Sequence, residues 1–93
     1  MTEVYIVKRF HLIDRELPAE WIEGVYASFD GAVTGAITAV VDDYAEYYPV
    51  TTFDPPLPVP HSDAPRRWEV ARVRLSDEGF VGFDIEEWEI KGD

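Results

Sequence analysis

The sequence predicts an α+β domain: one helix packed on a four-stranded, mostly antiparallel sheet, in the order β-β-α-β-β with a long proline-rich crossover loop. Three observations predict it. Val33, Ala36, Ile37, Val40, Val41, Tyr44 and Tyr48 recur at spacings of three and four, the period of a helix with one apolar face. Short apolar or alternating runs lie on both sides of that segment. Six of the seven prolines fall between residues 49 and 65, where a helix cannot continue. At 93 residues the chain reads as a single domain, 1–93, with one core.

Residues 4–10 read as the first strand, because Val4-Tyr5-Ile6-Val7 is a continuous apolar run of the kind found when both faces of a strand are covered. Residues 11–20, with His11, Asp14, Arg15, Glu16 and Pro18, read as a loop. Residues 21–27 form a second strand with Trp21, Glu23 and Val25 on one face and Ile22, Gly24 and Tyr26 on the other. An antiparallel pair is the simplest arrangement of the two. Ser28 is placed to cap the helix, and Asp30 sits in the first turn, where the helix dipole favours an anion. Gly35 in the helix interior costs up to ~1 kcal/mol relative to Ala, which either a close approach of helix to sheet or early fraying of the helix explains. Pro49 ends the helix.

Residues 49–65 read as a stiff crossover, polyproline-like through Pro55-Pro56-Leu57-Pro58. Residues 68–75 form the third strand, with Glu69, Ala71, Val73 and Leu75 alternating against Trp68, Val70, Arg72 and Arg74. Ser76-Asp77-Glu78-Gly79 is turn chemistry. Residues 80–90 form the last strand, whose apolar pattern changes phase midway. A bulge near Glu86-Glu87 is expected to return Phe83, Ile85, Trp88 and Ile90 to one core face.

Composition narrows the function. There is no cysteine, which excludes disulfides, thiolate metal sites and cysteine nucleophiles. Nineteen acids against eight bases give a formal charge of −11. That balance disfavours direct contact with nucleic acid or an anionic membrane, both of which require clustered Lys and Arg. It favours encounter with a basic protein surface. No apolar run approaches the ~20 residues that span a bilayer. The opening Met1-Thr2-Glu3-Val4-Tyr5 lacks the pattern of a secretory signal, and a cytoplasmic protein is expected.

Val4-Tyr5-Ile6-Val7, Gly24-Val25-Tyr26-Ala27-Ser28, Ala32 and Ala36-Ile37 resemble the opening half of a small uncharacterised α+β domain family of bacteria and phages. The resemblance implies the strand–strand–helix order and a bacterial or phage setting. The proline-rich crossover and the longer final strand depart from the family pattern.

No catalytic residue, cofactor or metal site is expected. His11 and His61 each have one carboxylate nearby, Asp14 and Asp63, which is short of a metal or acid–base constellation. Ser28, Ser62 and Ser76 lack a nucleophile context, and no glycine pattern cradles a phosphate. The helix end is the first candidate, the alternative being that the sheet, or Arg66, Arg67, Arg72 or Arg74, supplies the cations it lacks. Asp42, Asp43 and Glu46 fall in its last turns, where the dipole prefers cations, and no Lys or Arg lies between Phe29 and Tyr48. Tyr47 and Tyr48 are interleaved with them, and tyrosine buries interface area at small entropic cost. Asp84, Glu86, Glu87 and Glu89 on the last strand form a second acidic group.

These features point to a protein-binding module rather than an enzyme: an inhibitor or adaptor occupying a basic, nucleic-acid-handling surface of a partner, such as a phage-encoded anti-defence protein. An immunity protein or antitoxin neutralising a basic toxin is the alternative of the same class. A small enzyme or ligand-binding domain with a pocket lined by Trp21, Trp68 or Trp88 is the alternative from another.

Overall fold

A computed structural model describes residues 2–13, 19–60, 66–77 and 79–90. Its one long helix begins as the sequence dictates. Ser28 is extended, and its Oγ accepts a hydrogen bond from the Gly31 amide at 3.0 Å, capping α1 (Phe29–Val40). A π-helical turn, Val41–Ala45, continues it before the chain turns at 46–48. Ala32, Ala36 and Val40 are buried against the sheet and Val33, Ile37 and Tyr44 partly so, whereas Val41 and Tyr48, expected on the same apolar face, are exposed.

The sheet has five strands, all antiparallel: β1 (Thr2–Ile13), β2 (Ala19–Tyr26), β3 (Val50–Pro58), β4 (Arg66–Arg74) and β5 (Gly79–Ile90), in spatial order β2-β1-β5-β4-β3. The order along the chain is therefore β-β-α-β-β-β. The expected crossover loop contains an edge strand instead. Proline has no amide to donate, so it is tolerated where one side of a strand faces solvent. The β3–β4 ladder accordingly breaks between Thr52 and Leu57, around Pro55 and Pro56, and resumes beyond them.

The phase change in β5 resolves differently from expectation. β1 and β5 pair without interruption from Thr2↔Ile90 to Ile13↔Gly79, so β5 has no bulge against β1. Trp88 and Ile90 lie on the face opposite Phe83 and Ile85 and are exposed. The irregularity falls in β4, between Glu69 and Ala71. The extra residue, Val70, is buried together with Ala71 and Val73, which a strictly alternating strand would not allow. A second shift, between Val7 and Lys8 on β1, leaves Glu23 of β2 unmatched. It brings Trp21 onto the same face as Gly24 and Tyr26, which strict alternation keeps apart.

The core lies between α1 and the central strands: Val7 from β1, Val81, Phe83 and Ile85 from β5, and Val70, Ala71 and Val73 from β4. Burying each of the larger side chains contributes roughly 1.5–3 kcal/mol. Phe29 anchors the start of the helix with edge contacts to Tyr5 and Trp68 at 5.8 and 4.9 Å. The expected close approach is present: a Cβ at Gly35 would overlap the Tyr26 ring and hydroxyl, and the same ring is backed by Gly24.

Gly35→Ala therefore sets a gain of up to ~1 kcal/mol in helix propensity against overpacking that typically costs ~1–3 kcal/mol. Because Gly24 blocks the ring's retreat, net destabilisation is expected in urea unfolding, and Tyr26→Val in the same chain should recover part of it. A G35A protein as stable as the parent would contradict this packing.

Candidate functional site

The helix-side face of β1 carries Tyr5, Val7, Arg9 and His11 in alternation, so a guanidinium and an imidazole follow two core positions inward. Arg9 is the centre of what results. Its guanidinium carbon lies 5.0 Å from the centroid of the Phe83 ring, 5.3 Å from Tyr44 and 5.7 Å from Trp21. Its Nη2 donates to Asp43 Oδ2 at 2.6 Å, and its Nη1 donates to the Tyr44 hydroxyl at 3.1 Å. Glu23 Oε1 lies 2.5 Å from Nε, off the N–H direction, so this is an ion contact that leaves the buried Nε–H without an acceptor among the described residues. Glu23 Oε1 also accepts from Trp21 Nε1 at 2.9 Å.

Tyr44 Oη lies 3.2 Å from His11 Nε2. With Arg9 donating to the hydroxyl, the Tyr44 O–H is free to donate to a neutral imidazole. His11 also rests on Trp21, ring centroids 4.6 Å apart. Burial, and then the positive charge of Arg9, lowers the His11 pKa.

The π-helical turn sets how the helix end divides. Tyr44 turns inward, meeting Phe83 edge-on at 6.1 Å. Asp43 is held by Arg9. Asp42, Glu46, Tyr47 and Tyr48 remain exposed, Tyr47 at 75%, with Val41 and Ala45 exposed beside them. Neither Asp42 nor Glu46 has a Lys or Arg partner among the described residues, and no basic residue occupies the last turn. Of the expected patch, Asp42, Asp43, Glu46, Tyr47 and Tyr48 are all exposed, and among its acids Asp43 is the one paired with a base. Arg9 was the residue missed as its counter-ion. Its signal was present: an arginine at an inward position of an apolar strand must find an anion.

The second acidic group divides more completely. Glu86 is buried on the sheet face away from α1, 3.1 Å from Lys8 Nζ and 3.3 Å from Arg67 Nη1. Glu87 is on the helix side and accepts from Arg66 Nε at 2.9 Å. Glu89 is exposed and stands directly across from Glu3 in the ladder. Asp84, 5% exposed, accepts from Arg67 Nε at 2.6 Å, while its other oxygen has no partner among the described residues. Burial outweighs the arginine and raises the Asp84 pKa. Glu20 completes this network, 3.5 Å from Lys8 and 3.7 Å from Arg67.

Trp68 borders an open groove of about 280 Å³ with Pro58, Val59, Arg66 and Arg67. A larger groove of about 460 Å³ lies over Thr51, Arg72, Arg74, Asp77 and Phe80. Neither gathers His, Asp and Glu side chains into a cluster, and no group of three or more metal-ligating side chains occurs among the described residues. His61, Asp63 and Asp14 lie outside the described residues. No described helix is long and apolar enough to cross a membrane.

The lowered His11 pKa predicts a pH dependence of stability. The folded state favours neutral imidazole, so the unfolded chain binds more protons between the folded pKa and the ordinary value near 6.5. The contribution is complete above that ordinary value and is lost as pH falls through the lower folded one. Melting temperature measured against pH should show this rise, and His11→Gln should flatten it; an unaltered slope in that variant would rule His11 out as its source.

No family model matches the chain, and neither the curated proteins nor the solved structures contain a match.

Proposed function

We propose that the chain is a small acidic protein-binding module, an inhibitor or adaptor whose helix end docks on a basic surface of a partner protein. The observation that supports it is the division made by the π-helical turn. Arg9 pairs with the exposed Asp43 and holds Tyr44 inward, whereas Asp42, Glu46, Tyr47 and Tyr48 stand in solvent, the two carboxylates with no Lys or Arg partner among the described residues. π-helical turns within helices occur frequently at functional sites. Two carboxylates flanked by tyrosine rings complement guanidinium and ammonium groups, both as ion pairs and as cation–π partners.

The counter-ion distribution supports the same reading. Each described base already contacts a carboxylate: Lys8, Arg9, Arg66, Arg67, Arg72 and Arg74 meet Glu20, Glu23, Asp43, Glu69, Asp77, Asp84, Glu86 and Glu87. Asp42 and Glu46 at the helix end are left without a base among the described residues and are suited to meet an incoming cation. The partner class is a protein with an Arg/Lys-rich groove, of the kind that handles nucleic acid, and the acidic module competes for it. A phage-encoded antagonist of a host nucleic-acid enzyme is one such role.

An oligo-arginine peptide provides a defined probe. Asp42→Lys with Glu46→Lys should weaken its binding by about tenfold or more, since charge pairs at protein interfaces typically couple by 1.5 kcal/mol upward. The melting temperature should hold or rise, because cations suit a helix C-terminus. Glu3→Lys with Glu89→Lys changes the net charge equally and serves as the control. Equal loss in both variants would show that binding follows overall charge and not this surface.

A further inference from the structure

The sheet has two faces and the helix covers one. On the other, the ladder fixes the neighbours: Thr2↔Ile90, Val4↔Trp88, Ile6↔Glu86, Ile6↔Val25 and Lys8↔Ile22. Val4, Ile6, Ile22, Val25, Trp88 and Ile90 thereby form one apolar patch across β2, β1 and β5. Ile22 is 57% exposed, Val25 59%, Ile90 49% and Trp88 42%. Scattered exposed apolar residues are ordinary, but a contiguous patch on a pleated face marks a surface that another layer covers.

We propose that this face is a self-association surface, on which a second copy of the chain docks sheet to sheet about a twofold axis. Charge selects that occupant. Beside the patch, Lys8 and Arg67 are met by Glu20, Asp84 and Glu86, and further along, Arg72 is met by Glu69 and Arg74 by Asp77. This face is close to neutral, in a chain of charge −11. The carboxylates Asp42, Glu46, Glu3, Glu87 and Glu89 belong to the helix side. A basic partner is drawn to the helix end, where Asp42 and Glu46 lie, whereas two copies can meet through the neutral face with the carboxylates of the helix side pointing away from each other.

Edge-to-edge pairing is blocked on both sides, by the unmatched Glu23 on β2 and by the prolines of β3, so the face and not an edge is what the chain offers itself. In an isologous contact the same apolar residues meet across the axis, with the two sheets about 10 Å apart.

Light scattering and sedimentation of the full chain test this. A species of twice the 10.6 kDa chain mass is expected, strengthening with salt as the repulsion between two acidic chains is screened. Ile22→Lys with Val25→Lys should weaken the association by at least roughly tenfold per lysine, because each would be buried in the contact without a partner. Ile90→Lys alone should act in the same direction, and circular dichroism checks that each variant is folded. A wild-type chain that stays monomeric up to its solubility limit overturns the proposal, as does a dimer that survives all three lysines. The opposite salt dependence keeps this outcome separate from binding of the basic probe at the helix end.

Discussion

One helix has to cover a sheet that is too large for it. A twelve-residue helix is ~18 Å long, whereas a twelve-residue strand runs ~40 Å. α1 therefore shields only part of one face, the stretch where Val7, Phe83, Ile85, Val70 and Val73 reach full burial. Beyond Val40 the chain extends that cover with a π-helical turn and Tyr44, and the sheet supplies Arg9, His11 and Trp21 to meet it. An arginine in that position fills space with its stem and lays a flat cation against three aromatic rings. Its ion pairs with Asp43 and Glu23 then tie β1, β2 and the helix end together. The same shortage of helix leaves the opposite face of the sheet without a second layer among the described residues.

What the sequence disclosed, and what it hid, follows from how local each signal is. The helix was legible because period, N-cap and terminator all lie within one segment: Ser28, the apolar repeat and Pro49 agree with one another. β3 was hidden because proline is read as a strand breaker, and only the position of that strand at the sheet edge makes Pro55, Pro56 and Pro58 tolerable. The bulges at Val70 and Glu23 were illegible for a related reason. Strand alternation gives each residue a face only while the register is unbroken, and a single inserted residue reverses every assignment beyond it. Placing that irregularity in β5, where the apolar phase changes, was reasonable from one strand alone. The two-faced pattern of β5 instead reports that Trp88 and Ile90 serve a different surface from Phe83 and Ile85.

The helix-end acids were legible as an anomaly, and half of their explanation lay elsewhere in the chain. Asp43 is compensated by a residue thirty-four positions earlier, a partner that no local pattern reveals. Asp42 and Glu46 are one helical turn from each other in sequence, yet they have no such partner among the described residues. The distinction arises from the π-helical turn, which rotates Tyr44 toward Phe83 and carries its neighbours outward. A regular α-helix through the same residues would advance them by a different angle, so the exposed set is a property of the backbone as much as of the composition.

Charge segregation gives the molecule two chemically distinct sides. On the face away from α1, Asp84 and Glu86 are nearly excluded from solvent and are each paired with a base, although one Asp84 oxygen has no partner among the described residues. Burying carboxylates there is tolerable only because Arg67 and Lys8 are held over them by the ladder, since an unpaired buried charge costs several kcal/mol. On the helix side the compensation is partial, since Asp42, Glu46, Glu3 and Glu89 have no Lys or Arg partner among the described residues. Salt acts on these two sides in opposite senses. It screens attraction between the acidic end and a cationic partner, and it screens the repulsion that keeps two copies apart. On these two proposals, the chain favours a basic partner at low ionic strength and itself at high ionic strength.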